Sequence, residues 1–203
     1  MKNLLKILSL LLFTLLSTSI FAQKVDQFIL SDQFILSATS PSLVNQFLVL
    51  GKDGMSVADG YKMVTEWINV TYNTPKEVIK GDVENQYIRI QGVGGSARCS
   101  KMLGELKCQD IKYSISLEFK EGKMKFQLTN LEVYYDPTDP ASPVHLKGWS
   151  SYNPQFQDLT KKNGKPYRVR IEDAESTMAH LNDLANNLAA YLENPLAKEE
   201  DDW

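Results

Sequence analysis

The chain has 203 residues, of which 43% are hydrophobic, and 22 basic against 25 acidic side chains give it a formal net charge of −3. This length is sufficient for one domain with a substantial hydrophobic core. The acidic balance argues against nucleic acid as a partner, because clustered positive charge supplies most of the affinity of proteins for nucleic acid.

The first residues contain the three parts of a secretory signal peptide. Lys2 and Lys6 flank an apolar run over residues 4–16, and small residues precede a predicted cleavage site after Ala22. The apolar run is shorter than the about 20 residues that a membrane span needs, so a retained anchor is the less favoured alternative. We predict a periplasmic or secreted protein without a membrane span, in which loss of Lys2 and Lys6 changes the net charge from −3 to −5.

An N-terminal extension, residues 23–42, contains the sequence DQFILS twice in tandem. Inserting six residues into a strand leaves the alternation of its two faces unchanged. In a helix it would turn the apolar side of the second copy away from that of the first, so the repeat is tolerable only as extended chain. The favoured interpretation is a slippage product outside the fold. The alternative is an exposed β-edge that recruits a partner by strand addition.

A single domain is predicted over residues 43–194. It begins with a strand over residues 43–50, and a helix follows with Ser56 as its cap, Asp59 three residues later and Pro75 as its end. The segments EVIKGD and YIRIQGVG predict two further strands.

Residues 94–108 are predicted to form a loop that is closed by a disulfide between Cys99 and Cys108. An even number of cysteines in an oxidising compartment favours pairing. No histidine lies near enough to complete a zinc site, and the spacing is not that of a redox motif. Gly92, Gly94 and Gly95 resemble part of a phosphate-binding loop, but such a loop needs a helix directly after the glycines and no helical pattern follows them, so we reject that interpretation.

Strict alternation of apolar and polar residues over 111–119, the turn KEGK and renewed alternation over 124–128 predict a β-hairpin. With Glu121 and Gly122 as the turn, the apolar residues of both strands share one face. From Leu131 onward the apolar residues fall on odd instead of even positions. In an unbroken strand, Leu131, Val133 and Tyr135 would therefore lie on the exposed face. A β-bulge near Thr129–Asn130 restores the phase, so we predict a long, bulged hairpin with one buried and one solvated face.

Residues 136–173 form a predicted irregular insert that ends in a short strand at YRVRI. Apolar residues at helical spacing then predict an amphipathic helix, which Pro195 closes before a charged tail, residues 195–203. The elements together predict an α+β fold in the order β-α-β-β-β-β-α. An antiparallel sheet of about five strands would carry two helices on one face.

These patterns resemble the secreted bacterial domain of unknown function 4468 family, whose fold is like one repeat of the TATA-binding protein (TBP). The resemblance rests on LVL before the Ser-capped helix, TEWI with Trp67, YIRIQGVG and KYSISLEFKEGKMKF, and it covers about residues 43–135 together with the last helix. It implies a single TBP-like repeat and brings no catalytic or binding residues. The DNA-binding saddle uses two such repeats, so DNA binding is not implied.

Candidate chemistry is sparse, because none of the recognised hydrolase, metalloprotease or phosphate-loop spacings occurs. We predict no metal and no cofactor. His180, one of two histidines, is predicted to be a boundary residue of the last helix, since no second ligand lies at helical spacing. Asp136 and Asp139 predict an ordinary turn rather than a calcium loop.

The insert contains the candidate ligand-binding residues, because aromatic rings with hydrogen-bonding neighbours suit a glycan or peptide surface. These residues are His145, Trp149, Tyr152, Phe156 and Tyr167. The alternative is that they only pack the insert onto the sheet.

Three functions remain open. The leading one is an exported, non-catalytic module that acts through contacts with an unknown envelope protein or glycan. The second is a binder of small glycans or peptides that uses residues 145–167, and the third is a hydrolase with an unrecognised site.

Overall fold

The computed structural model describes residues 47–138, 146–152 and 167–195. The elements in chain order are β1 (Phe47–Leu50), α1 (Val57–Thr71), α2 (Pro75–Val78), β2 (Ile79–Val83), β3 (Tyr87–Met102), β4 (Glu105–Lys120), β5 (Lys123–Tyr135), β6 (Gly148–Ser151) and α3 (Arg168–Glu193). The predicted signal peptide, the DQFILS repeat, residues 196–203 of the charged tail, Asp139, His145 and Phe156 lie outside the described residues. None of the helices described is long and apolar enough to cross a membrane.

One antiparallel sheet has the strand order β1-β5-β4-β3-β2, and β6 also pairs with β5. The predicted α+β class is confirmed. The described sheet has six strands rather than about five, because the insert contributes β6 as a short strand beside the end of β5.

The predicted bulge in the β4–β5 hairpin is confirmed. Pairing passes from Ser114–Asn130 directly to Ile115–Leu128, which leaves Thr129 as the extra residue. The Thr129 hydroxyl donates a hydrogen bond to the carbonyl oxygen of Ser114 at 3.1 Å. Beyond this point Leu131 returns to the buried face, so the hairpin keeps one apolar side along its full length.

The long helices bury their apolar stripes against one face of the sheet. The predicted cap of α1 is confirmed, since the Ser56 side chain accepts a hydrogen bond from the backbone N–H of Asp59 at 3.0 Å. Further along α1, the buried indole N–H of Trp67 donates to the side-chain oxygen of Asn187 in α3 at 2.7 Å. This bond ties the two helices together. Pro75 begins α2, after α1 has ended at Thr71.

Gly92 and Gly94 lie in the middle of β3, where large rings cross the strand. A Cβ atom on Gly92 would overlap the Tyr113 ring, and one on Gly94 would overlap the imidazole of His180 in α3. These glycines therefore allow close packing of rings on the sheet.

The predicted loop over residues 94–108 is wrong, because these residues form the outer halves of β3 and β4. Cys99 lies directly opposite Cys108, and the predicted disulfide is confirmed. The register shifts between Gly94 and Arg98, and every residue from 101 to 108 is exposed. The buried residues nearer the base, Ala97, Arg98 and Ser100, are small or polar, and the outer part is solvated on both sides. The segment therefore does not show the alternation that reveals a half-buried strand.

The predicted short strand at YRVRI is also wrong, because α3 begins at Arg168. Ile171 is buried, and the buried stripe of the helix continues from it at spacings of three and four residues through Ala174 and Met178. The first turn is supported by an ion pair between Arg168 and Glu172 at 2.5 Å. The apolar–basic alternation of this short segment had favoured a strand.

The turn at the end of the β3–β4 hairpin predicts an unusual mutational effect. Leu103 has a φ of +53° and its side chain is fully exposed, so it loses backbone energy without gaining burial. We expect Leu103→Asn to raise the free energy of unfolding by about 1 kcal/mol, because asparagine tolerates the left-handed region that costs leucine about 1–2 kcal/mol. Urea denaturation measures this change.

Leu106→Asn is the matched control, since Leu106 is an exposed leucine of the same hairpin that is not among the residues with positive φ. We expect it to leave the free energy of unfolding nearly unchanged. A lower stability of Leu103→Asn than of the unmodified protein would contradict the argument.

Candidate functional site

The face of the sheet opposite the helices carries an aromatic cluster beside β6. Trp149 of β6 lies opposite Tyr134 of β5, and their ring centroids are 5.3 Å apart in an edge-to-face arrangement. The side chains are 37% and 38% exposed. Such pairs contribute about 0.5–1.5 kcal/mol beyond the burial of their area, so each ring helps to hold the other in place.

An ion pair supports these rings from the neighbouring strand. The Lys112 ammonium lies 4.7 Å from the centroid of the Trp149 ring and 2.5 Å from a carboxylate oxygen of Glu132. Lysine therefore bridges an indole face and a carboxylate, which fixes its own position and restricts the ring. We call Lys112, Glu132, Tyr134 and Trp149 the Trp149 cluster.

The bulge at Thr129 places the Trp149 cluster on the open face. After the bulge, Leu131 and Val133 point toward the helices, so Glu132 and Tyr134 between and beyond them point away. The register then sets Glu132 opposite Lys112 and Tyr134 opposite Trp149.

Polar side chains continue the open face beside the cluster. Gln91 lies opposite Ser114, and its side-chain amide donates to the serine hydroxyl at 3.4 Å. Together with Arg89, Thr129 and Asn130 they line a shallow depression. The open face thus combines two rings with hydrogen-bonding groups, which is the composition of ligand surfaces that bind through stacking and polar contacts.

A second group of polar side chains is buried on the helix side. The Arg98 guanidinium is 2.6 Å from a carboxylate oxygen of Asp173, donates to the side-chain oxygen of Gln109 and lies 4.9 Å from the ring centroid of Tyr152. Burial raises the pKa of Asp173, and the Arg98 charge opposes that rise. Burial also raises the pKa of Tyr152. This group connects β3, β4, α3 and the residue that follows β6 in the interior of the protein.

His180 lies at the edge of the buried stripe of α3, as predicted. Its ring centroid is 6.0 Å from that of Tyr113, and its imidazole packs over Gly94. Burial lowers its pKa, and the nearby Asp183 charge opposes this effect. The folded protein therefore favours the neutral imidazole.

The structure separates the candidate residues of the insert that it describes. Trp149 lies on the open face, whereas Tyr152 is only 6% exposed and belongs to the buried group around Arg98. Tyr167 precedes α3, where the Arg170 guanidinium lies 4.5 Å from its ring centroid. These three side chains do not form one surface.

Sequence reasoning missed Lys112, Glu132 and Tyr134 as members of a site. The signal was available, because a bulge at Thr129–Asn130 sets Leu131 opposite Tyr113 and Val133 opposite Ile111. The residue between them, Glu132, then lies opposite Lys112. No pattern in the sequence predicts that β6 pairs with β5, and this pairing is what places Trp149 beside Lys112, Glu132 and Tyr134.

Two solved structures share this fold. A DUF4468 family protein from Bacteroides ovatus ATCC 8483 superposes with a TM-score of 0.55 and 18% sequence identity, over 81% of this chain and 97% of that chain. A TBP-like protein from Parabacteroides distasonis ATCC 8503 gives a TM-score of 0.51 and 12% identity, over 73% of this chain and 91% of that chain.

No family model matches the chain, and no curated protein matches it either. At these sequence identities the similarity shows the fold alone. The TBP-like fold that the resemblance implied is therefore confirmed.

The buried ion pair predicts a large loss of stability when one partner is removed. We expect Asp173→Ala to lower the free energy of unfolding by about 3–5 kcal/mol, because it leaves the Arg98 charge buried without compensation. The double replacement Arg98→Met with Asp173→Ala should recover part of this loss. Denaturant titrations of both single variants and the double variant measure the coupling, and additive losses would contradict the interaction.

The lowered pKa of His180 predicts a dependence of stability on pH. Between the folded and the ordinary pKa the unfolded chain binds more protons, so folding stability decreases as pH falls through about 6.5. We expect the free energy of unfolding of the unmodified protein, minus that of His180→Gln, to decrease between about pH 7.5 and 5.5. A difference that stays constant over this range would contradict the assignment.

Proposed function

We propose that this chain is an exported, non-catalytic module that acts by binding, and that the Trp149 cluster is its contact surface. One observation carries the proposal: two half-exposed rings are held on an open sheet face by cross-strand contacts and an ion pair. Aromatic rings that are already fixed lose little conformational entropy when they bind. The arrangement therefore favours the binding of a ligand or partner at this surface.

The polar chemistry of the open face also supports binding rather than turnover. Lys112 and Glu132 are paired with each other, as are Lys125 and Glu118 at 3.7 Å further along the same face. Acid–base catalysis needs a proton donor or acceptor within hydrogen-bond reach of the substrate. The histidine and the aspartate with shifted pKa values, His180 and Asp173, lie on the helix side instead.

The ligand class that fits this surface best is an envelope glycan. The rings offer apolar surface, and Gln91 and Ser114 offer hydrogen-bond donors and acceptors in a shallow depression elsewhere on the same sheet face. Export is supported by the Cys99–Cys108 disulfide, because disulfides form and persist in oxidising compartments.

A protein partner is the second candidate, and the position of β6 favours it. Within the described ranges β6 pairs only with β5, so its outer edge can accept an added strand. The side chains of such a strand would lie beside Trp149. This arrangement would give the module a protein contact at the same surface.

A thermal-shift screen of residues 23–203 against envelope glycans, cell-wall fragments and peptides tests the proposal. A ligand at about 100 times its Kd adds about 2.7 kcal/mol of stability, which corresponds to a rise of about 5–10 °C in Tm for a chain of this size. We expect Trp149→Ala to abolish the shift, because it removes the central ring of the cluster.

Tyr167→Ala is the matched control, since Tyr167 is also 37% exposed and also lies beneath a cationic side chain, but at the start of α3. It should keep the full shift. If only peptides bind, the protein-partner alternative is supported. A ligand that still raises the Tm of Trp149→Ala would overturn the assignment of the binding surface. The proposed function itself would be overturned if no ligand in the screen raised the Tm and native crosslinking recovered no partner that depends on Trp149.

A further inference from the structure

The outer end of the β3–β4 hairpin stands clear of the domain and carries apolar side chains. All residues from 101 to 108, with the sequence KMLGELKC, are exposed. Met102 is 43%, Leu103 101% and Leu106 65% exposed. We call residues 101–107 the hairpin tip. Met102 and Leu106 lie on opposite faces of the ribbon and Leu103 lies at its turn, so apolar side chains surround the end of the hairpin.

The base of the hairpin tip is held firmly. The Cys99–Cys108 disulfide crosslinks the two strands, and α3 contacts β3 just below the tip. The Ser176 hydroxyl accepts a hydrogen bond from the backbone N–H of Cys99 at 2.7 Å, and the Glu172 carboxylate accepts one from that of Lys101 at 2.8 Å. An exposed two-stranded ribbon is marginally stable without such support. The tip is therefore presented at a fixed angle to the domain.

The tip also carries a residue that folding alone does not favour. Leu103 and Gly104 have φ values of +53° and +89°, which is the turn geometry that prefers asparagine or aspartate before glycine. Leucine at this place loses backbone energy, and its side chain is fully exposed. A backbone outlier of this kind points to a role in binding.

The shape and charge of the tip identify the kind of partner. The two exposed residue pairs before the turn, 101–106 and 102–105, extend the ribbon by about 7 Å, at about 3.4 Å for each residue. Apolar groups at a membrane interface are buried to a depth of about 5–10 Å. Lys101 and Lys107 outnumber Glu105 on the tip, although the whole chain is acidic. Glu105 lies opposite Met102 beside the turn and offsets one of the two lysines, so the tip keeps a net charge of about +1. Basic side chains beside an apolar point complement anionic headgroups.

We propose that the hairpin tip docks this protein on the surface of an anionic lipid bilayer. Met102, Leu103 and Leu106 enter the interfacial layer, and the ammonium groups of Lys101 and Lys107 remain at the headgroups. The inference goes beyond the proposed function, and it does not depend on the Trp149 cluster, which lies on the open sheet face around β5 and β6 and shares no residue with the tip.

Co-sedimentation of residues 23–203 with vesicles tests the proposal. We expect binding to vesicles of phosphatidylethanolamine with phosphatidylglycerol, weaker binding to phosphatidylcholine vesicles, and a decrease with added salt. Leu103→Asn should weaken binding by roughly tenfold, because it removes a large apolar side chain from the interface. Replacement of Lys101 or Lys107 by glutamine should weaken binding by roughly fivefold for each lysine.

The controls separate docking from folding and from the proposed function. Leu103→Asn is expected to fold at least as stably as the unmodified protein, so its loss of vesicle binding cannot come from unfolding. Val70→Ser removes an exposed apolar side chain from α1 and should bind vesicles normally. Trp149→Ala should also bind vesicles normally, although it should lose the glycan-induced shift.

Three results would overturn the proposal. The first is no binding of the unmodified protein to either vesicle type. The second is vesicle binding that Leu103→Asn leaves unchanged. The third is a dimer in analytical ultracentrifugation that Leu103→Asn dissociates, because the occupant of the tip would then be a second copy of the chain.

Discussion

The extra residue at Thr129 in β5 is the constraint on which both faces of the sheet depend. Side chains alternate along a strand, so the residues beyond Thr129 would exchange faces if the bulge were absent. Leu131 and Val133 would then leave the core, while Glu132 and Tyr134 would point into the helices. The packing of the core and the position of the Trp149 cluster therefore both depend on the bulge. Deleting the extra residue at position 129 would disturb both at once.

Much of the inner fold was predictable because its signals are local and repeated. Alternation on both sides of the KEGK turn determines the register of β4 with β5, and the one-residue phase shift locates the bulge. The outer half of β3 lacks these signals, because its buried residues Ala97, Arg98 and Ser100 are small or polar and residues 101–108 are exposed on both sides. The first turn of α3 was misread because Arg168–Arg170 alternates over a stretch too short to separate a strand from a helix.

The candidate site was predictable only in part, because its members come from separate strands. Trp149 was identified as an aromatic residue of the insert, but its orientation depends on the pairing of β6 with β5. Tyr152 lies three positions later in extended chain, and an odd separation turns it to the opposite face, where it packs with Arg98. His145 and Phe156 lie outside the described residues, so their membership stays a prediction.

The position of the Trp149 cluster also bears on how proteins with this fold can diverge. Its indole is supplied by β6, which belongs to a connection between β5 and α3, and its rings contribute nothing to the layer beneath the helices. Replacing such residues alters the outer surface while the interior keeps its packing, and loops of this kind tolerate insertions better than the elements they join. Chains that share only 12–18% identity with this one yet retain its architecture are free to carry different recognition surfaces there. The scaffold and its specificity can thus change at separate rates.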